Sequence, residues 1–417
     1  MEFSDTPTTF PSANFSLAPF NYHHKVRDHF KSRKKTWDWF KSDELKEKQV
    51  TDFKSNLLKN TYRLDKEAHQ NLYDLVADVC QKLSIDAQVT LYQENNSVQL
   101  NAGIVALGKE AHIVLSGNLL SLLSDEEMKA LLGHELSHYL FNKINDEEFE
   151  VTQRIILALA NDNRSEDAII ETARIYQLYL ELFCDAGSLR VCNDYKTVIQ
   201  TLVKLNTGLT NVNAESYLAQ ANEIILNDAE ATQNHTHPES YIRSLALQLR
   251  AQNDPEYLQK IENLIQGNLD LNSLDIFEQV TMADITMQML QILVKPHWMN
   301  SATVLNLAAQ YFKDFFKKKE DLDVNIFRET LVKTKDSVKN YLCYVLLDFA
   351  KVDAELENAP LAYTLEISEL LGLEEEYEKL IRKELKLTVR DFKLLKDSAM
   401  AELQQVKEGK EDSIYKD

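Results

Sequence analysis

The chain has 417 residues, 44% hydrophobic and 27% charged, with a net charge of −20. This is the composition of a globular protein of two or three domains. The acidic excess excludes nucleic acid as a main partner, because phosphate binding needs clustered Lys and Arg. With 9 Gly and 7 Pro, breakers are scarce and the composition leans to helix.

Residues 1–20 hold Ser, Thr, Pro and Asn without periodicity and read as a loose tail. They lack the basic and apolar regions of a secretory signal. No run approaches the roughly 18 apolar residues of a spanning helix. Cys80, Cys184, Cys192 and Cys343 form no CxxC pair and read as reduced, mostly buried thiols. A soluble cytoplasmic protein without a transmembrane segment is expected. Residues 22–60 follow, with Arg33, Lys34 and Lys35 beside Trp37, Trp39 and Phe40. The preferred reading is a solvated basic helix whose aromatics pack on the body. Peripheral membrane contact or an acidic partner is the alternative.

Over 66–84, Leu72, Leu75, Val76, Val79 and Leu83 form a helical stripe. The texture then alternates through "AQVTLYQ" (87–93), "SVQLNAGIVAL" (97–107) and "HIVLS" (112–116). These read as strands of a small, mostly antiparallel sheet. Ser124, followed by Asp125, Glu126 and Glu127, resembles a capping box that starts a helix. From there the pattern is helical almost to the end, with a polar loop at 227–240. The fold class expected is mainly α with a small antiparallel sheet.

The helix from Ser124 carries "LLGHELSHYL" (131–140). Positions four apart share one helical face, so His134 and His138 can offer two nitrogens to a single Zn²⁺. Glu135, offset by one residue, is placed to act as general base towards a zinc-bound water. Alone, the pentapeptide arises by chance in on the order of 2% of such chains. It needs a third ligand, and "YLELFCDAGSLR" supplies Glu181 with Asp185 four residues on. An acid on an apolar helix is costly to bury unless paired or metal-bound. Asp185 is the candidate to accept the free ring N–H of a ligand histidine.

"LLGHELSHYL" followed by "ELFCDAGS", with "LNAGIVAL…HIVLSGNLL" before and "THPESYIRSLAL" after, resembles the gluzincin metallopeptidases of the HtpX and CAAX-prenyl-endopeptidase type. The resemblance covers roughly 70–250. It implies zinc held by His134, His138 and Glu181, Glu135 as general base, and Asp185 behind a ligand histidine. His237 matches the family's His-Pro histidine, close to the metal or the transition-state oxygen. Arg243 matches the Arg that anchors this segment or the substrate. Tyr241 is a further candidate oxyanion donor, and His235 lies close by in sequence. An edge strand is implied to hold substrate backbone in extended form. Cys184 stands where the family usually has Ala, and a packed small residue is the role expected.

The segment 341–381, "YLCYVLLDFAKVDAELENAPLAYTLEISELLGLEEEYEKLI", resembles a TerB-type helical domain, with Ala354 in place of its Gly. Asp353, Glu355 and Glu357 read as an acidic turn in preference to a weak cation site. The organisation expected is a tail and basic segment (1–65), a metallopeptidase domain (66–250), a helical connector (251–320) and a TerB-like domain (321–417) that serves a protein partner. The function expected is a zinc endopeptidase acting on peptide or misfolded protein. The alternative is a zinc-stabilised, catalytically latent adaptor, with His237 as a permanent fourth ligand.

Overall fold

The computed structural model describes residues 15–42, 54–55, 57–95, 97–227, 237–313, 315 and 323–408. The chain divides into two compact units, Met1–Gly267 and Asn268–Asp417. The first opens with α1 (Asn21–Lys31) and α2 (Lys34–Lys41), then β1 (Thr61–Arg63) and α3 (Gln70–Leu83). Strands β2 (Gln88–Glu94), β3 (Asn101–Leu107) and β4 (Glu110–Ser116) follow. Helices α4 (Leu119–Leu122), α5 (Asp125–Lys143), α6 (Glu148–Ala160), α7 (Asp167–Cys192), α8 (Tyr195–Thr207), α9 (Ala214–Asn227), α10 (Ser240–Ala251) and α11 (Tyr257–Ile265) complete it.

Residues 15–20 are not a loose tail. They run extended, with the Phe15 carbonyl accepting a hydrogen bond from Arg190 and the Arg250 guanidinium 4.8 Å above the Phe15 ring. Phe20 is buried, its ring 5.0 Å from that of Tyr179. His23 on α1 is completely buried, its Nε2 3.1 Å from the Tyr176 carbonyl. Burial pushes its pKa down to about 3, and it is a neutral packing residue. On α2, Trp37 is buried while Trp39 is exposed.

The five apolar residues expected to form the α3 stripe are the five it buries. They pack with Val89, Leu91, Ile113, Leu115, Leu132 and Leu136 in one cluster between sheet and helices. The sheet has the order β1-β2-β4-β3 and is mostly antiparallel, as expected, with one parallel pairing. β1 pairs with β2, and β3 with β4, antiparallel, but β2 and β4 are parallel. The chain leaves β2 for the sheet edge, forms β3 there, and turns at Gly108 into β4, which inserts between them. Gly108 holds φ at +62°, a conformation that suits the two-residue turn of a hairpin.

Ser124 caps α5. Its side chain accepts from Glu127 N–H, and the Glu127 carboxylate accepts Ser124 N–H at 2.9 Å. Glu127 also takes the buried Lys204 ammonium of α8 at 2.8 Å. α5 and α7 cross through small residues. Ser137 donates to the Gly133 carbonyl and Ser188 to the Ala130 carbonyl, each at 2.6 Å. A Cβ built on Gly187 would stand 1.7 Å from Ser137 Oγ, and one on Gly133 would stand 3.1 Å from Ser188 Cα.

The second unit is helical: α12 (Ile276–Leu293), α13 (Ala302–Tyr311), α14 (Val324–Val332), α15 (Asp336–Ala350), α16 (Ala359–Leu371), α17 (Glu374–Glu384) and α18 (Val389–Lys407). Met289, Leu342, Leu346, Phe349, Leu361, Tyr377 and Ile381 lie in its core. Asp353 accepts from Glu355 N–H at 3.0 Å and from the Ser301 hydroxyl at 2.5 Å. Its carboxylate therefore serves the turn, and Glu355 and Glu357 are exposed. Among the described residues no helix is long and apolar enough to cross a membrane.

The α5–α7 crossing tolerates no side chain at 187. Gly187→Ala is expected to cost about 1–3 kcal/mol through overpacking, read as a lowered midpoint in urea. Gly133→Ala, whose Cβ would press within 3.1 Å of the Ser188 backbone, is a milder clash and should cost less.

Candidate metal centre

α5 and the C-terminal half of α7 are buried on almost every side, so Glu181 and Asp185 there cannot reach bulk water and must find partners. Glu181 and Asp185 are 5% and 4% exposed. The crossing sets them against the histidine face of α5. His134 Nε2 is 3.3 Å from Glu181 Oε2, and His138 Nε2 is 3.6 Å from Glu181 Oε1. On its other side His134 Nδ1 lies 3.1 Å from Asp185 Oδ1. Asp185 in turn is clamped by Arg243 of α10, with Nε donating to Oδ2 at 2.7 Å and Nη2 to Oδ1 at 2.6 Å. This two-pronged geometry is the one guanidinium and carboxylate favour.

The charges act on one another strongly. Burial alone would raise Glu181, but His134, His138 and Arg243 outweigh it and hold its carboxyl well below the usual range. Burial lowers Asp185's affinity for its charge too, and Arg243 and His134 reverse that. Burial opposes a charge on His134, yet the neighbouring Asp185 and Glu181 carboxylates raise its pKa to about 10. His138, buried without such a partner, falls to about 4. Burial, with Glu181 nearby, raises Glu135 to about 7. The centre thus sets an imidazole between two carboxylates, which favour a positive charge there.

That arrangement fits a cation. Two imidazole nitrogens and a carboxylate converge, and Glu181 Oε2 is buried without a hydrogen bond of good geometry, its nearest partner being His134 Nε2 at 3.3 Å. Such donors suit a divalent metal. A cation held by these donors would compensate the Glu181 charge that His134 Nε2 faces at 3.3 Å. Cys184 also lies beside the two histidines. Burial and the neighbouring carboxylates hold its thiol well above the usual pKa, so Glu181 is the better third donor.

The group stands in a cleft of about 1040 Å³. Its walls come from residues 99–104 and Ala106 at the β3 edge, from Leu131, Val198, Leu202 and Leu205, and from His237–Ser240. His237 is at the rim, its side chain 58% exposed and its Nε2 3.5 Å from Glu181 Oε2. His235 lies outside the described residues. Tyr241 does not line the cleft. It packs against the apolar cluster that holds Val198, Leu218 and Leu245, because its position on α10 turns it away from the face that carries Arg243. Arg243 lines the cleft and reaches Asp185 from there. Asn142 and Gln153 line the cleft without having been singled out. Asn142 is one turn beyond His138, a spacing that would have marked it; Gln153 had no such signal.

Residues 66–251 match the family described as Peptidase family M48. The chain is also similar to the plastoglobule-localized metallopeptidase 48 of Arabidopsis thaliana, a chloroplastic protein. The two are 28% identical over 168 residues, which is 38% of this chain and 47% of the relative. The chain therefore spans about half the length of that relative. No solved structure matches. The matched stretch reaches from the residues before α3 to the last residue of α10 and includes every element lining the cleft. Residues 66–251 of this chain are a Peptidase family M48 domain.

Proposed function

We propose that this domain is a zinc-dependent endopeptidase acting on peptide or unfolded protein. The observation that carries the reading is the convergence of His134, His138 and the under-bonded Glu181 carboxylate inside a cleft bordered by an edge strand. Those three residues would hold the metal. When bound, the metal supplies Lewis acidity, polarising the scissile carbonyl and acidifying the attacking water.

The chain's own groups supply the rest. Glu135, buried beside the histidines, takes a proton from the attacking water and returns it to the leaving amine. Asp185 accepts the Nδ1 proton of His134 and leaves Nε2 facing Glu181. Arg243 acts through Asp185, as a positioning residue. His237 at the rim donates to the oxygen that gains charge as the carbonyl is attacked. The free edge of β3 pairs with extended substrate backbone, and the apolar wall formed by Leu131, Val198, Leu202 and Leu205 receives a side chain.

His237 also supports a second reading. It lies close enough to Glu181 to serve as a permanent fourth donor in a latent adaptor. Its exposure favours the open site. Casein digestion, abolished by a chelator and restored by Zn²⁺, distinguishes the two. In the latent case, cleavage emerges only in His237→Ala.

Glu135→Gln should retain one metal per chain and lose roughly 10²–10⁴ in turnover; full hydrolysis by that variant would overturn the general base. Glu181→Ala should lose metal by elemental analysis. Arg243→Ala leaves Asp185 buried without its guanidinium, so stability should fall by about 3–5 kcal/mol, measured by urea unfolding. The pH profile has an acid limb. Glu135 must be ionised to accept a proton, so turnover falls as pH falls through its pKa. That limb should lie below the metal-free value of about 7, because a bound cation favours the carboxylate.

A further inference from the structure

The face of α7 that presents Glu181 carries a second donor. Cys184 follows Glu181 by three residues, so the two project from one side of the helix. It is a free cysteine with no solvent exposure. Its Sγ and one nitrogen each of His134 and His138 all lie within 4.8 Å of one another. Donors around one tetrahedral centre stand roughly 3.5 Å apart, given bonds of about 2.0–2.3 Å. The sulfur is therefore within a small side-chain adjustment of the coordination sphere. At the same place Glu181 Oε2 is buried without a hydrogen bond of good geometry, held by ion pairs with His134, His237 and Arg243 at 3.3, 3.5 and 3.7 Å.

We propose that Cys184 gives this centre two alternative donor sets. Borderline cations take His134, His138 and Glu181, and thiophilic cations such as Cd²⁺ and Cu⁺ take His134, His138 and Cys184. The inference rests on the metal reading above. A thiolate selects soft cations over a carboxylate at the same site. On capture the Cys184 S–H bond breaks, a sulfur–metal bond forms, and the proton passes to the solvent buffer. No electron is transferred. The consequence is a peptidase that soft metals would occupy in a different geometry, with Glu181 released.

The test is titration of the metal-stripped full chain with Cd²⁺, followed by ultraviolet absorbance and by bound metal after desalting. A sulfur-to-cadmium charge-transfer band that saturates at one equivalent is expected. Cys184→Ser should show no band and bind Cd²⁺ at least about tenfold more weakly, with a smaller change for Zn²⁺. Cys184→Ala, checked for a cooperative thermal melt, controls for folding and should behave as the Ser variant does. One equivalent of Cd²⁺ bound without the band overturns the proposal and leaves the metal reading standing. So does an equal band in Cys184→Ser, which would trace it to Cys80, Cys192 or Cys343. Failure of the unaltered chain to take up either metal, or uptake indifferent to His134→Ala, overturns the metal reading itself.

Discussion

The close crossing of α5 and α7 is the constraint from which the rest follows. Gly133 and Gly187 remove the side chains that would hold the helices apart, and Ser137 and Ser188 satisfy their hydroxyls on α5's own carbonyls. Once the backbones meet so closely, Glu181 and Asp185 lose water and acquire the histidines of α5. Their two negative charges then need more than one imidazolium, and α10 delivers Arg243. The packing of small residues thus dictates the electrostatics, and the electrostatics dictate which third helix closes the site.

The centre gathers opposite charges in a buried place. The Arg243 guanidinium clamps Asp185, and the His134 ring lies between Asp185 and Glu181. Buried charges of this kind add little stability against an apolar alternative. Their retention in the core is intelligible as a cost of function, borne by the surrounding apolar clusters. His138, kept neutral by burial, needs no proton displaced before it can coordinate.

Much of this was legible in the sequence, and the exceptions have physical reasons. The α3 stripe, the capping box at Ser124 and the HExxH helix carry strong periodic or spacing signals, and the structure shows the same elements. Glu181 and Asp185 were readable because an acid in "LYLELF" violates the apolar pattern around it. β1 was missed because three residues show no period. The parallel β2–β4 pairing was missed because strand order is a property of the tertiary fold, and local alternation is blind to it. Tyr241 was placed near the chemistry by its nearness in sequence to His237. Helical geometry instead turns it two residues' rotation away from Arg243, into an apolar cluster. The crossing itself was written in Gly133, Ser137, Gly187 and Ser188, yet small residues on buried helices are too common to single out.

The stretch before α1, with the first turn of α1, reaches further than its length suggests. The Phe15 carbonyl and ring engage Arg190 of α7 and Arg250 of α10, Phe20 covers Tyr179 and Tyr257, and His23 seals Tyr176. These residues roof the back of the helix whose front presents Glu181. They lie some fifty residues ahead of the family match, which begins at 66. The evolutionary unit and the folding unit of this peptidase domain therefore have different starting points. A fragment cut to the family boundary would expose the aromatic back of α7 to water.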